Sequence, residues 1–131
     1  DNTATGSTLD ANDLEIVDTL MTSSTRLYAC PRALDDAEQR PMIEDLVLLL
    51  ESVLEARRRV MVEVNVTEEA LPGLLEVLPC MRQPTIAPLA GGDGFAVKAA
   101  VPREILPEVV PRIKAAGGSD IVVTRLAQIV A

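Results

Sequence analysis

From Val60 the chain alternates strictly, with Val60, Val62, Val64 and Val66 on one side and Met61, Glu63 and Asn65 on the other. That period of two predicts a strand with one buried face. Immediately before it the apolar period is helical. Met42, Ile43, Leu46, Val47, Leu50, Val53 and Leu54 form one stripe, which predicts a long amphipathic helix. Asp36 with Gln39 supplies a capping-box-like start, Pro41 falls near the first turn where proline is tolerated, and Arg57, Arg58 and Arg59 suit the negative end of the dipole. After the strand, Thr67 is expected to cap a helix begun by Glu68 and Glu69, with Leu71, Leu74, Leu75 and Leu78 inward and Pro79 ending it. Nearer the N-terminus, Leu9, Leu14, Ile16, Val17 and Leu20 mix both periods, predicting a short helix and then a strand between Thr8 and Met21. A further strand is expected over Thr25 to Ala29, stopped by Pro31.

The strand-helix pattern recurs about 35 residues later. Val66 to Pro72 lies over Val101 to Pro107, Val60, Val62 and Val64 over Phe95, Val97 and Ala99, and Pro84 to Ala90 over Ser119 to Arg125. Two strand-helix-strand units in series predict an α+β, ferredoxin-like βαββαβ domain, a four-stranded sheet with both helices on one face. The first and third strands are expected as central, parallel neighbours. Pro88 points to an edge strand, Gly91 to Gly94 to a hairpin, and Gly117-Gly118 to the end of the second helix. Pro72, Pro107 and Pro111 would sit inside helices, which predicts distorted first turns and a kink near Pro111.

Among 131 residues, 20 are acidic and 12 basic, for a net charge of −8 with one Phe, one Tyr and no Trp. Such a chain repels phosphate backbones and offers little to stack on bases, so neither a nucleic-acid nor a membrane partner is expected. No histidine is present, which removes imidazole bases and Ser-His or Cys-His nucleophiles. Cys30 and Cys80 lie far apart without metal-ligand spacing and read as reduced thiols. No stretch is long and apolar enough to cross a bilayer and no basic leader opens the chain, so a cytoplasmic protein is expected. Asp1 begins directly in a turn-like stretch, which reads as a cut in a longer sequence.

Arg59 to Val66, then Pro84-Thr85-Ile86-Ala87-Pro88-Leu89 and Phe95-Ala96-Val97, resemble the regulatory domain of long-form ATP phosphoribosyltransferases. Asp1-Asn2-Thr3-Ala4-Thr5-Gly6-Ser7-Thr8-Leu9 with Asp13-Leu14-Glu15 resembles the phosphoribosyl-pyrophosphate loop of the same family. The likeness covers essentially the whole chain. It implies residues 1–58 as the remnant of an α/β, periplasmic-binding-protein-like catalytic domain with a long linking helix, and residues 59–131 as the ferredoxin-like regulatory domain. It also implies an enzyme of histidine biosynthesis that joins ATP to phosphoribosyl pyrophosphate with Mg²⁺, is inhibited by L-histidine, and assembles as a homo-oligomer from dimer to hexamer. The fragment alone is expected to be inactive.

The resemblance assigns Asp1, Ala4, Thr5, Gly6, Ser7 and Thr8 to substrate binding, with no catalytic nucleophile. Gly6 lets backbone approach an anion, and the hydroxyls of Thr5, Ser7 and Thr8 add donors. Without the likeness, this stretch is an ordinary turn and helix cap. Histidine contacts map to Asn65, Met81, Thr85, Ala100 and Asp120. Asn65 and Ala100 are repeat mates, as are Thr85 and Asp120, and the four are expected to converge at one edge of the sheet. The plainer alternative makes Asn65 and Thr85 caps and Asp120 a solvated turn residue. Similarly, Arg57 to Arg59 are either a solvated helix end or a relay to the catalytic half. A stand-alone ferredoxin-like binding or oligomerisation module is the competing reading of the whole.

Overall fold

The alternation after Arg58 folds as a strand, β1 (Arg59–Val66), whose four valines are buried while the intervening side chains are half-exposed. The structure is a computed structural model in which residues 7–130 are described. Beyond β1 run α4 (Leu71–Val77), β2 (Thr85–Pro88), β3 (Phe95–Pro102), a 3-10 turn (Arg103–Ile105), α5 (Leu106–Ala115) and β4 (Ser119–Arg125). Before it lie α1 (Ser7–Asp10), α2 (Pro31–Asp35) and α3 (Gln39–Arg58). The strands form one sheet in the order β2-β3-β1-β4. Leu74 and Leu78 from the α4 side and Val109 and Ile113 of α5 join the buried residues of β1 and β3 in a single core. Both helices therefore cover one face, giving the α+β, ferredoxin-like arrangement.

The expected parallel pairing of the first and third strands is corrected. β1 and β3 are antiparallel, as are β1 with β4 and β2 with β3. Connectivity gives the reason. A tight Gly91–Gly94 hairpin reverses the chain between β2 and β3, whereas the α4 crossover returns β2 in the direction of β1. β3 must then oppose both.

Pro88 lies in β2, an edge strand bonded only to β3. Pro72 and Pro107 are not interior to their helices. Residues 68–70 and the 3-10 turn at Arg103–Ile105 take up the first turns, leaving each proline at the start of its helix, where no N–H is needed. Pro111 alone lies inside. At the end of α5, Gly117 N–H donates to the Lys114 carbonyl and Gly118 N–H to that of Ile113 at 2.9 Å. With Gly117 at φ +90°, this is a Schellman termination.

The strands expected within Thr8 to Met21 and over Thr25 to Ala29 do not form: residues 14–30 carry no helix or strand. A strand needs a neighbour for its N–H and C=O groups, and among the described residues none lies beside this stretch. Pro31 opens α2 instead of merely ending a strand. α3 is as long as expected, but its stripe is largely uncovered: Met42, Leu46, Leu50 and Leu54 are exposed, and only Ser52 and Ala56 are buried.

Asp36 does start the α3 turn, accepting hydrogen bonds from the N–H groups of Glu38 and Gln39, each at 2.9 Å. The bonds from Gln39 and then Glu38 hold its carboxyl below the ordinary value of 3.8. A depressed native value means that this stabilisation is complete above 3.8 and lost as pH falls through the native value. Asp36→Asn keeps the acceptor without the titration, so acidification should cost it less far-ultraviolet helical signal than wild type. Superimposable acid titrations would contradict this role for the cap.

Candidate functional site

Partners in the β1–β3 register pair Glu63 with Lys98, and these two are also repeat mates. Their side chains make an ion pair at 3.0 Å on the face without helices. The pseudo-twofold axis relating the two units passes here, so every other pair of mates lies on opposite sides of it. The convergence expected of Asn65, Thr85, Ala100 and Asp120 is thereby corrected. Antiparallel pairing separates repeat mates in proportion to their distance from the axis, whereas parallel pairing would have kept them level.

Asn65 and Asp120 do meet. Asn65 is opposite Ser119 where the β1–β4 register shifts, and Asp120 takes φ +46°, a left-handed conformation that aspartate tolerates better than most residues. The irregularity turns the carboxylate onto the open face, where Asn65 Nδ2 donates to Asp120 Oδ2 at 3.1 Å. Ser119 Oγ lies 3.3 Å from both the Asn65 carbonyl and Asp120 Oδ2. An amide, a hydroxyl and a carboxylate thus share one exposed corner, a donor and acceptor set suited to an ammonium or imidazole group. Ser119 was missed in the sequence because nothing there marks the register shift that brings it in.

Ala100 and Met81 occupy the other end, joined by a bond from the Met81 N–H to the Ala100 carbonyl at 3.2 Å. Thr85 is exposed on the same open face, paired in register with Lys98. Asn65 is paired with Ala96, four residues before Ala100 in β3, so about 13 Å of strand separates the two ends. The open face carries two candidate half-sites divided by the Glu63–Lys98 ion pair.

Asp1, Ala4, Thr5 and Gly6 lie outside the described residues. Ser7 and Thr8 fall in α1, and the Thr8 carbonyl accepts a bond from Asn12 Nδ2 at 2.8 Å. Among the described residues no group of three or more His, Cys, Asp or Glu side chains could hold a metal ion. No helix among them is long and apolar enough to cross a membrane.

Comparisons with known proteins cover both halves. Residues 56–128 match the family model described as "HisG, C-terminal domain", and residues 1–52 the model described as "ATP phosphoribosyltransferase". Over 130 residues the chain is 35% identical to the ATP phosphoribosyltransferase of Pelotomaculum thermopropionicum, covering 99% of this chain and 45% of that protein. It is 38% identical over 128 residues to the ATP phosphoribosyltransferase of Solibacter usitatus, covering 98% and 44%. With that of Natronomonas pharaonis identity is 39% over 130 residues, covering 99% and 45%. The chain spans less than half the length of these relatives.

Proposed function

Because the chain belongs to the ATP phosphoribosyltransferase family, we propose that it is the C-terminal part of an enzyme of histidine biosynthesis, with a remnant of the catalytic domain over 1–58 and an L-histidine-sensing domain over 59–131. The tandem match of two family models to the two halves carries this reading. In the whole enzyme N1 of ATP attacks the anomeric carbon of phosphoribosyl pyrophosphate. The bond to the leaving oxygen breaks, and pyrophosphate departs with the electron pair. Placement of the two substrates and stabilisation of the cationic sugar suffice for this step, so a stretch without a histidine base or nucleophile is compatible with it. The loop from Asp1 to Thr8 would hold the 5-phosphate by its amides and hydroxyls. Mg²⁺ would enter with the substrate and offset the charge of its pyrophosphate.

For the effector, Asp120 supplies the negative charge and Asn65 the amide that recognise the ammonium and imidazole of L-histidine. Thr85, Met81 and Ala100 form a second surface too far away for the same ligand in one chain. The geometry favours a homo-oligomer, from dimer to hexamer, in which the open faces of two copies meet and complementary ends complete each pocket. A cytoplasmic location is part of this reading.

The enzyme containing this chain is expected to form phosphoribosyl-ATP and pyrophosphate only when ATP, phosphoribosyl pyrophosphate and Mg²⁺ are all supplied, and to slow as L-histidine is added. The 131-residue chain alone is expected to give no turnover. A full-length, folded enzyme that makes no phosphoribosyl-ATP would leave the stand-alone binding module as the better account.

A further inference from the structure

We propose that the cleft between the end of α3 and the turn after β3 is a separate site for the diphosphate group of a polyphosphate ligand. The cleft has a volume of about 750 Å³ and is lined by Arg57, Arg58, Arg59 and Arg103 with Glu55 and Glu104. Arg59 Nε is paired with Glu55 one helical turn away. Among the described residues the other three arginines make no ion pair, and Glu104 is the one further carboxylate lining the cleft. Two positive charges are therefore in excess at this point of a chain whose net charge is −8.

A helix dipole accounts for only part of this. Arg57 and Arg58 lie in the last turn of α3, where a cation offsets unsatisfied carbonyls. Arg103 stands on the opposite wall, in the 3-10 turn that leads into α5, the end at which a dipole disfavours a cation. Its place in the same cleft as the α3 arginines is explained by an anion held among them. Guanidinium forks bind phosphate oxygens in pairs, and a cleft of this size falls in the range of small-molecule sites. A diphosphate offers more oxygens than a single phosphate to the three arginines without an ion pair. The walls belong to α3 on one side and to the β3–α5 connection on the other, so an occupant ties the linking helix to the sheet domain. The proposal stands apart from the L-histidine reading, because its residues are neither Asn65 nor Asp120.

The test is calorimetric titration of the folded chain with inorganic pyrophosphate at about 0.15 M ionic strength, where weak surface pairing is screened. Saturable binding at one site is expected, weakened about tenfold or more by Arg57→Gln and by Arg103→Gln, since each removes a charge-assisted contact. Arg103→Lys should recover part of the loss, and Arg26→Gln should change nothing. ATP that competes for the site identifies a nucleotide phosphate chain as the natural source. Pyrophosphate binding unaffected by ATP identifies the free ion. Binding that fails to saturate, or that survives both Arg57→Gln and Arg103→Gln, overturns the proposal.

Discussion

Gly94→Ala is expected to destabilise the sheet domain by about 3 kcal/mol or more, enough to lower its melting temperature by roughly 10 °C or more. Gly94 sits at φ +145°, and a Cβ added there would be driven into the carbonyl oxygen of Val66 and toward the Cα of Thr67 at 3.1 Å. Both opposing groups are backbone at or just after the end of β1, one of the two central strands, so neither can rotate away. The same residue closes the hairpin, its carbonyl accepting the Leu89 N–H at 2.9 Å. Gly73 provides the contrast: it is inside α4, with no positive φ and nothing within 4 Å of the place a Cβ would take. Gly73→Ala should therefore stabilise by about 0.5–1 kcal/mol. Thermal melts followed by circular dichroism separate the two. Equal effects from both substitutions would contradict the close approach at Gly94.

Asp120→Ala is expected to weaken L-histidine binding by about tenfold to a hundredfold, because it removes the single charge in the half-site and the acceptor for the Asn65 amide. Asn65→Ala should cost less, since the carboxylate stays and Ser119 remains beside it. Asp120→Gly distinguishes recognition from backbone geometry. Glycine accepts φ +46° without strain, so the fold is retained while the ligand contact is lost. If Asp120→Gly binds as wild type does, the carboxylate has no part in recognition.

Much of this architecture can be read from the chain because several levels agree. The valine alternation of β1, the repeat about 35 residues on, the edge position of Pro88 and the glycines after α5 each point to one duplicated unit. Strand direction was equally available from the hairpin and crossover lengths, but a repeat alone specifies which segments correspond and not how they face. Convergence of repeat mates follows only from parallel pairing, so that one error of direction misplaced Thr85 and Ala100 relative to Asn65 and Asp120. The register shift that joins Asn65 to Asp120 leaves no mark in the sequence, since it arises where an aspartate takes the left-handed conformation. The strand patterns near Ile16 and Leu27 failed for a different reason. Periodicity reports a face that would be buried if a neighbouring strand were present, and no neighbour among the described residues pairs with it. The exposed apolar stripe of α3 is the same case in a helix: its period is right, and its covering is absent among the described residues. Pro72 and Pro107 depart from the expected interior positions because the helical period starts before the helices do: a turn at 68–70 and another at Arg103–Ile105 precede the helices proper.

The most direct measurement is the map of backbone amide chemical-shift changes as L-histidine is added to the chain. Saturable changes centred on Asn65, Ser119 and Asp120, with a second group at Met81, Thr85 and Ala100 that appears only where copies associate, are the predicted result. Changes confined to the helical side of the sheet, or none at saturating ligand in a folded sample, would contradict the assignment of this open face as the effector site.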